Sequence, residues 1–326
     1  MRRPNASILC IPLMPDQAGS NGATDPILGV GRQGMKKFSD YKRQGGEWIT
    51  LASGEFYPDI LEQACELYKP VLTLFGQFIA SSGTSRLLFM RINEVDEQWM
   101  RIQLCRVFRK YVAPMLPVEM LKKRSMAASI CDQYEKDFRQ VHEVQRRFSS
   151  RPLPDEALCA ILWEYKDRGK KGYDLTESFF DEFAHRFKGF DIIGPRRGGK
   201  DLLLHQHLPG YPNKTRPVDF IVFQKKPKKL IAIGFAHYDS DRGGSQEDSR
   251  TGEYVNSAKE ISNYLGGNMT GVKIIFLNDG PGLLLGSMWN DYASIEAIND
   301  HIMVLTMRMM KERLTKDWLL SNKPKG

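Results

Sequence analysis

The sequence predicts an α/β (α+β) fold in which a mixed central sheet, flanked by helices, follows a helical N-terminal region. Two observations carry this prediction. Apolar residues recur at helical spacing between residues 57 and 148. Later in the chain the pattern changes to short apolar runs that indicate strands, over residues 218–223, 230–236 and 272–277. The order helix, strand, strand, helix, strand, helix is typical of a mixed sheet with helices packed on it.

The N-terminal half contains three amphipathic stretches. The first begins near Ile60, and Pro70 is expected to end or kink it, because proline cannot donate the helical hydrogen bond. The second covers residues 100–111 and the third residues 118–148. A core-facing apolar stripe explains their spacing, while the basic residues of the second stretch are open to solvation or to DNA contact. Residues 15–48, rich in Gly, Asn, Asp and Lys, are expected to form an irregular arm.

A domain boundary is predicted in the middle of the chain. Domains commonly hold about 100–200 residues, so the 326 residues of this chain make two domains, or one large domain with an elaborate extension. The stretch Ser-Ser-Arg-Pro at residues 149–152 is typical of a linker. It divides the chain into a mainly helical N-terminal region, residues 1–150, for DNA wrapping or dimerisation, and a second domain, residues 151–326.

The second domain should begin with two helices. The first covers residues 154–165, and Gly169 and Gly172 are expected to break it. A capping signal at Asp174 begins the next helix, which carries regularly spaced phenylalanines as far as Phe187. A basic, proline-containing turn joins the first two strands as a β-hairpin. The remaining elements are expected as a helix over residues 255–265, a tight turn over residues 278–282 and a helix over residues 294–320.

Charge and composition bound the class of protein. The formal net charge is +8, which favours a polyanionic partner. No apolar stretch approaches the ~18 residues of a membrane span, and the first thirty residues lack the apolar core of a signal peptide. We therefore expect a cytoplasmic protein with no membrane partner. The five cysteines form no C-x-x-C pair, so buried free thiols are expected rather than zinc sites or disulfides.

Three aspartates lie at the ends of the predicted hairpin. Asp219 begins its first strand, and Asp239 and Asp241 follow its second. Because residues i and i+2 of a strand share a face, the hairpin can bring the three carboxylates together. Clustered carboxylates need a cation, and hard oxygen ligands suit Mg²⁺, which can bind a phosphate and activate a water. Three surface acids at the hairpin ends are the alternative.

Around these aspartates, over about residues 174–326, the chain resembles the PD-(D/E)xK nucleases, the superfamily of type II restriction endonucleases. Their core is a strand bearing Asp, a turn, and a strand bearing Asp/Glu-x-Lys, with helices packed around. Residues 217–219 (Pro-Val-Asp) match the first element with one extra residue. The second element departs from the pattern, because Gly-Phe-Ala stands 15 residues on (234 − 219). Asp-Ser-Asp stands 20 residues on (239 − 219), with an acid at the lysine position.

The resemblance implies a restriction-endonuclease-like core that hydrolyses double-stranded DNA with Mg²⁺ and leaves 3′-hydroxyl and 5′-phosphate ends. The missing Glu-x-Lys leaves the general base to His237, or to Lys259 and its neighbour Glu260 on the next helix. The candidate catalytic residues are Asp219, Asp239, Asp241, His237 and Lys259. The candidate metal ligands are Asp219, Asp239, Asp241 and, on the helix before the sheet, Glu182.

Two polar, glycine-containing segments are candidates for DNA contact, residues 194–200 and residues 238–250. Glycine lets the backbone approach a ligand closely, and arginine and glutamine suit guanine, adenine or phosphate. A well hydrogen-bonded surface loop is the alternative. The candidate DNA-binding residues are Arg196, Arg197, Lys200, Arg242, Gln246 and Arg250. Two-fold symmetric DNA sites match two-fold dimers, so a homodimer is expected.

Other functions compete with the restriction enzyme. The absent Glu-x-Lys favours a non-catalytic DNA-binding protein that kept a nuclease-like fold. A nuclease of repair or recombination fits the same residues. Residues 194–200 also satisfy the G-x-x-x-x-G-K part of a P-loop, but Asp201 stands where a hydroxyl would ligate Mg²⁺, so a nucleotide hydrolase is the weakest of these hypotheses.

Overall fold

The computed structural model describes residues 35–166, 170–196, 200, 202–240, 245–268 and 271–321, with backbone alone at 170–171, 245–250 and 267–268. The first half of these residues is helical, as predicted. After a 3₁₀-helix (Phe38–Gln44), the α-helices are α1 (Gly45–Trp48), α2 (Ile60–Ala80), α3 (Ser85–Glu94), α4 (Gln98–Tyr111), α5 (Val118–Leu121), α6 (Ala127–Tyr134), α7 (Val141–Ser149) and α8 (Glu156–Trp163). The prediction of an irregular arm is wrong over its described part, because residues 38–48 are helical.

Helices α2 to α8 enclose one cluster of buried apolar side chains. Local sequence sets where these helices begin. At the start of α3, Thr84 Oγ1 accepts the Leu87 N–H at 3.1 Å, and at the start of α8, Asp155 Oδ1 accepts the Leu158 N–H at 3.2 Å. Such caps satisfy backbone donors that the helix cannot, and each contributes about 1 kcal/mol.

Helix α2 continues through Pro70, so of the two predicted effects of the proline, an end or a kink, the end is excluded. A proline inside a helix costs about 3 kcal/mol or more, because it removes a hydrogen bond and its ring crowds the preceding turn. Val71, Leu72 and Phe75 follow directly and are fully buried in the helical core. Burying each such side chain contributes about 1.5–3 kcal/mol, so packing outweighs the local cost.

The second half begins with α9 (Lys170–Arg186). This helix includes Gly172 and Asp174, so the predicted break at the first and the predicted start at the second are both wrong. Inside the helix, the Thr176 hydroxyl donates to the Gly172 carbonyl oxygen at 3.0 Å. The expected apolar face is confirmed, since Phe179, Phe180, Phe183 and Phe187 are all buried.

The strands are β1 (Phe190–Ile193), β2 (Leu202–Leu203), β3 (Pro217–Val218), β4 (Phe220–Gln224), β5 (Lys229–Tyr238), β6 (Lys273–Asp279) and β7 (Ile302–Leu305). Five of them form a mixed sheet in the order β1-β4-β5-β6-β7, and β2 pairs with β3 alone. β4 is antiparallel to β1 and β5, whereas β6 is parallel to β5 and β7. The predicted hairpin is confirmed as β4–β5, and so is a mixed sheet flanked by helices after a helical N-terminal region.

Helices cover both faces of the sheet. On one face, the rings of Phe179 and Phe180 of α9 contact Phe220 of β4. On the other, Tyr254 of α10 (Ser245–Asn268) packs on Phe235 of β5, with ring centroids 5.7 Å apart. The helix predicted over residues 255–265 is confirmed by α10. Successive residues of β5 therefore point alternately toward α9 and toward α10.

The prediction of one helix over residues 294–320 is wrong, because this segment contains β7. All four residues of β7 are buried. A parallel strand that is covered on both faces is apolar at every position, so its sequence lacks a strand's alternation. The same segment holds the end of α11 (Met288–Glu296), then α12 (Met310–Arg313) and α13 (Lys316–Leu320).

The N-terminal 3₁₀-helix packs against elements at the far end of the chain. The ring of Phe38 stacks on Trp289 with centroids 4.6 Å apart. Its N–H donates to Glu296 Oε1 at 3.0 Å, across a separation of 258 residues. Glu296 also accepts two hydrogen bonds from Arg313 Nη2, at 2.7 and 2.8 Å. The described residues from Lys36 onward accordingly belong to one compact unit.

Two predictions from composition can be compared with the structure. The described cysteines are free thiols, and burial raises the pKa of Cys105 to about 12. Cys10 lies outside the described residues. Over the part of the chain that the structure describes, none of the helices combines the length and the apolar character that crossing a bilayer requires.

Candidate functional site

The candidate site lies at the carboxyl ends of the parallel strands β5 and β6. Asp239 directly follows β5, and its N–H donates to the Asp279 carbonyl oxygen of β6 at 2.7 Å. His237 of β5 is the register partner of Asn278 of β6. Carboxyl ends of parallel strands are where open α/β sheets bind ligands, because the loops that leave them diverge. The sequence therefore places an acid, an imidazole and an amide at this edge.

Asp239 is buried, with 1% of its surface exposed. Its Oδ2 accepts the Asn278 Nδ2–H at 2.6 Å. Its Oδ1 lies 2.9 Å from His237 Nε2, but the angles are not those of a hydrogen bond, and within the described residues this oxygen has no hydrogen-bond donor. The Asn278 Oδ1 is equally buried and equally without a donor there. Buried polar atoms are nearly always paired, so two neighbouring unpaired oxygens indicate a place for a ligand.

The turn after β6 closes around Asp239. The Gly282 N–H donates to the Asp239 carbonyl oxygen at 2.9 Å. Gly280 has φ +111°, and a Cβ there would lie 2.3 Å from the same oxygen. A Cβ at Gly282 would lie 2.7 Å from the Asp239 Cβ. The turn predicted over residues 278–282 is confirmed only from Gly280, because β6 continues to Asp279 and a 3₁₀-helix (Pro281–Leu284) follows. Its glycines also let the chain approach the acid, a role that the turn signal alone does not reveal.

Asp279 fastens this edge of the sheet. Its Oδ1 accepts N–H groups from Thr50 at 2.6 Å and Gly280 at 2.7 Å, and its Oδ2 accepts that of Met307 at 3.0 Å. Burial raises the pKa of the Asp279 carboxyl, and the three backbone N–H groups reverse only part of that rise. The residue thus joins the N-terminal segment, the turn and the exit of β7 around the candidate site.

The raised pKa of Asp279 gives a pH prediction. Between the ordinary aspartate pKa of about 3.9 and the raised folded value, the folded protein holds a proton that the unfolded chain has lost. Stability contributed by this group is therefore fully present at low pH and is lost as pH rises through that window. We expect the unfolding free energy of wild type minus that of Asp279→Asn to decrease as pH rises from 4 to 7, in urea titrations. A difference that increases with pH would contradict the assignment.

Asp219 lies in the bend between β3 and β4. Its Oδ2 accepts the Ala236 N–H at 2.8 Å, and its own N–H donates to the Gly234 carbonyl oxygen at 3.0 Å. The hairpin therefore brings Asp219 against β5, but three residues before Asp239, or about 10 Å along a strand that rises about 3.3 Å per residue. Within the described residues, no group of three or more His, Cys, Asp or Glu side chains is placed to hold a metal. Asp241 lies outside the described residues.

The glycine at the expected carboxylate position has a physical reason. Gly234 pairs with Phe220 across the hairpin. A Cβ built on Gly234 would lie 1.9 Å from an atom of the Phe220 ring. The ring fills the space that a glutamate or aspartate would need, so this position of β5 is closed to a metal ligand.

The candidates on the flanking helices lie in different surroundings. Glu182 of α9 is half-buried and Lys259 of α10 is exposed. Glu260 is occupied elsewhere, because Arg216 Nη2 and the Tyr211 hydroxyl donate to its two oxygens at 2.7 and 2.5 Å. Burial opposes ionisation of Glu260, but these hydrogen bonds outweigh it and lower its pKa. Glu260 therefore fastens the loop before β3 to α10.

The basic segment after β1 begins beside Asp219. A Cβ at Gly194 would lie 2.3 Å from the Asp219 carbonyl oxygen, so glycine permits this approach. Arg196 Nη1 lies 2.8 Å from Asp181 Oδ1, and Lys200 is exposed. Two of the remaining DNA-binding candidates, Arg197 and Arg242, lie outside the described residues. For the other two, Gln246 and Arg250, the structure describes the backbone, which belongs to α10, but not the side chains.

The P-loop hypothesis also meets the structure in this segment. A P-loop delivers its lysine to the first turn of an α-helix, whose N-terminus binds the phosphates. After Lys200 the described chain instead forms β2 and then a 3₁₀-helix (Leu204–Gln206). The geometry does not fit a nucleotide-binding loop.

The site as a whole is a buried carboxylate with an unpaired oxygen, flanked by an imidazole and an amide oxygen. A second carboxylate, that of Asp219, lies against β5 about three residues further back, where the basic segment begins. Such an arrangement can bind a cation and place a phosphate against it. In comparisons with known protein families, characterised proteins and solved structures, none matches this chain.

Proposed function

We propose that this protein is a Mg²⁺-dependent, site-specific endonuclease of double-stranded DNA, of the PD-(D/E)xK type, and a type II restriction enzyme. The observation that carries the proposal is the buried Asp239, whose Oδ1 has no hydrogen-bond donor within the described residues. A buried ionised carboxylate is costly unless it is paired or coordinates a metal. A cation bound there would also attract the phosphates of DNA.

The topology supports the same proposal. A strand preceded by Asp219, a turn and a strand followed by Asp239 form the β4–β5 hairpin, and α9 and α10 pack on its two faces. This is the order of elements that the resemblance implies. The net charge of +8 suits a polyanionic substrate, and the basic segment that begins at Gly194 lies against Asp219.

In the proposed reaction, water attacks phosphorus in line and the 3′ oxygen leaves, giving 3′-hydroxyl and 5′-phosphate ends. Bound Mg²⁺ supplies charge stabilisation and a more acidic water. Asp239 and Asp241 would hold one Mg²⁺, and Asp219 and Glu182 a second one further back along β5. The basic residues of both polar segments would position the DNA backbone. His237 and Lys259 are the candidates for proton transfer. We further propose a cytoplasmic homodimer, each subunit cutting one strand.

The test is incubation of the purified chain with phage DNA, in Mg²⁺ or in EDTA, followed by gel electrophoresis. Discrete fragments that require Mg²⁺ are expected. Asp219→Asn and Asp239→Asn should each lower the cleavage rate by at least about 100-fold, because each removes a negative metal ligand while keeping the shape of the side chain. Asp191→Asn is the matched control, since Asp191 is an exposed carboxylate of β1 in the same sheet.

A non-catalytic DNA-binding protein is the second candidate, and Gly234 favours it, because the Phe220 ring leaves no room for the expected carboxylate. The same experiment separates the two functions. A mobility shift of DNA without cleavage, unchanged in Asp219→Asn, would replace the nuclease with the binding protein. If the protein neither cleaves DNA nor shifts its mobility, both functions are refuted.

A further inference from the structure

Three side chains converge on the α10 face of the sheet at the end of β5 and β6. His237 and Asn278 are register partners on adjacent parallel strands, so their side chains lie side by side. Asp239 follows His237 by two residues, the spacing that returns to the same face. The three residues therefore place an imidazole nitrogen, a carboxylate oxygen and an amide oxygen together at the same end of this face.

The contact between His237 and Asp239 does not have the angles of a hydrogen bond. Its length is that expected between two atoms that bind the same metal ion. Nε2 and Oδ1 are 2.9 Å apart, yet Oδ1 has no hydrogen-bond donor within the described part of the chain. Metal–ligand bonds of about 2.1 Å that meet at a right angle place neighbouring ligand atoms about 3.0 Å apart. Tetrahedral bonds of that length place them about 3.4 Å apart. The separation matches an edge of an octahedron.

Asn278 supplies the independent observation. It is buried, with 1% of its surface exposed, and its Oδ1 has no donor among the described residues. Its Nδ2–H donates to Asp239 Oδ2 at 2.6 Å, which orients the amide and leaves its oxygen directed away from that contact. An orphaned amide oxygen next to an orphaned carboxylate oxygen is a donor set that a cation satisfies.

We propose that His237 Nε2, Asp239 Oδ1 and Asn278 Oδ1 bind one six-coordinate transition-metal ion, with Mn²⁺ as the ion that fits best. The proposal deepens the proposed function and rests on it, because Asp239 serves both. It leaves proton transfer to Lys259, since an imidazole nitrogen that binds a metal cannot also accept a proton. Carboxylate and amide oxygens suit Mg²⁺ and Mn²⁺ alike, but an imidazole ligand favours transition metals over Mg²⁺. The octahedral edge disfavours tetrahedral Zn²⁺.

The protein holds this donor set in place, with the imidazole at its solvent side. The turn at Gly280 and Gly282 fixes the Asp239 backbone. The His237 side chain is 23% exposed, whereas that of Asp239 is 1% exposed. Of these two side chains, the imidazole is therefore the one that borders solvent.

The test is a Mn²⁺ titration of the full chain, followed by the loss of the free-ion signal in electron paramagnetic resonance, with Mg²⁺ as competitor. One Mn²⁺ per chain is expected, and a large excess of Mg²⁺ should be needed to displace it. His237→Gln and Asn278→Leu should each weaken Mn²⁺ binding by at least about tenfold. Even the loss of a residue that only hydrogen-bonds to a metal ligand commonly lowers metal affinity by about 10- to 100-fold. His142→Gln, a histidine exposed on α7, is the matched control and should bind as wild type.

The outcomes separate this proposal from the nuclease. Equal affinity for Mn²⁺ in wild type and His237→Gln, or Mn²⁺ held no more tightly than Mg²⁺, overturns the site even if Mg²⁺-dependent DNA cleavage is found. Tight Mn²⁺ binding that His237→Gln removes, without DNA cleavage in either metal, supports the site and refutes the nuclease. If Asn278→Leu fails to fold by circular dichroism, the partly exposed His237 decides the question.

Discussion

Replacing Gly234 by alanine is expected to destabilise the protein by about 3 kcal/mol, the upper part of the range for overpacked cores. The added Cβ would lie 1.9, 2.1 and 2.4 Å from three atoms of the Phe220 ring. That ring cannot retreat easily, because it is fully buried against Phe179 and Phe180. Equilibrium unfolding in urea measures the loss as a lower midpoint at an unchanged slope.

Gly252→Ala is the control for this prediction. Gly252 is exposed on α10, and a Cβ there would meet nothing within 4 Å. Alanine should stabilise the helix by up to about 1 kcal/mol. The second variant Phe220→Leu, added to Gly234→Ala, should recover part of the loss, because it vacates the space that the new methyl group needs. Wild-type stability of Gly234→Ala would show that the sheet can shift to admit a side chain at this position.

Replacing Arg313 by methionine should cost about 3–5 kcal/mol, because it leaves Glu296 buried without its partner. The side chains of Arg313 and Glu296 are 3% and 9% exposed. Arg313 binds both carboxylate oxygens and also donates to the Lys36 carbonyl oxygen at 3.1 Å. Glu296 in turn accepts the N–H groups of Phe38 and Val304. The pair therefore fixes the N-terminal 3₁₀-helix on the last strand of the sheet.

Urea unfolding of three variants tests this pair. The double variant Glu296→Leu with Arg313→Met should regain a large part of the stability lost in Arg313→Met, since it removes the unpaired charge. Arg147→Met breaks the exposed pair with Glu143 on α7 and should leave the midpoint unchanged. A small loss in Arg313→Met, matched by Arg147→Met, would mean that the buried pair contributes no more than a surface one.

Sequence periodicity correctly predicted helices and strands that bury one face and expose the other. It failed for elements that are buried on both faces or are too short to show a pattern. The apolar stripes of α2 and α4 and the β4–β5 hairpin were predictable, because one side of each meets the core. β7 was missed because it is buried on both faces, and the start of α9 was misplaced because Gly172 is tolerated inside a packed helix. β1 was not predicted either, since four residues carry too little pattern.

For the candidate site, the sequence pointed to the acids and to His237 but not to Asn278. Asp219 and Asp239 were identified from their positions at the hairpin ends. Asn278 was overlooked because a turn is a sufficient explanation for Asn, Asp, Gly and Pro at residues 278–282. Only the parallel pairing of β5 with β6 places Asn278 beside His237. The missing carboxylate at Gly234 also became explicable only in three dimensions, where a ring from the next strand occupies its volume.

The long-range docking of the N-terminal 3₁₀-helix has a consequence for synthesis on the ribosome. Phe38 emerges early, but Glu296, its hydrogen-bond partner, lies 258 residues further along the chain. At about 5–20 residues per second, roughly 13–50 s of translation separate the two. During that time the helical layer can fold behind it, while the aromatic face of the segment has nothing native to cover it. The aromatic segment therefore stays uncovered until α11, which carries both Trp289 and Glu296, has been made.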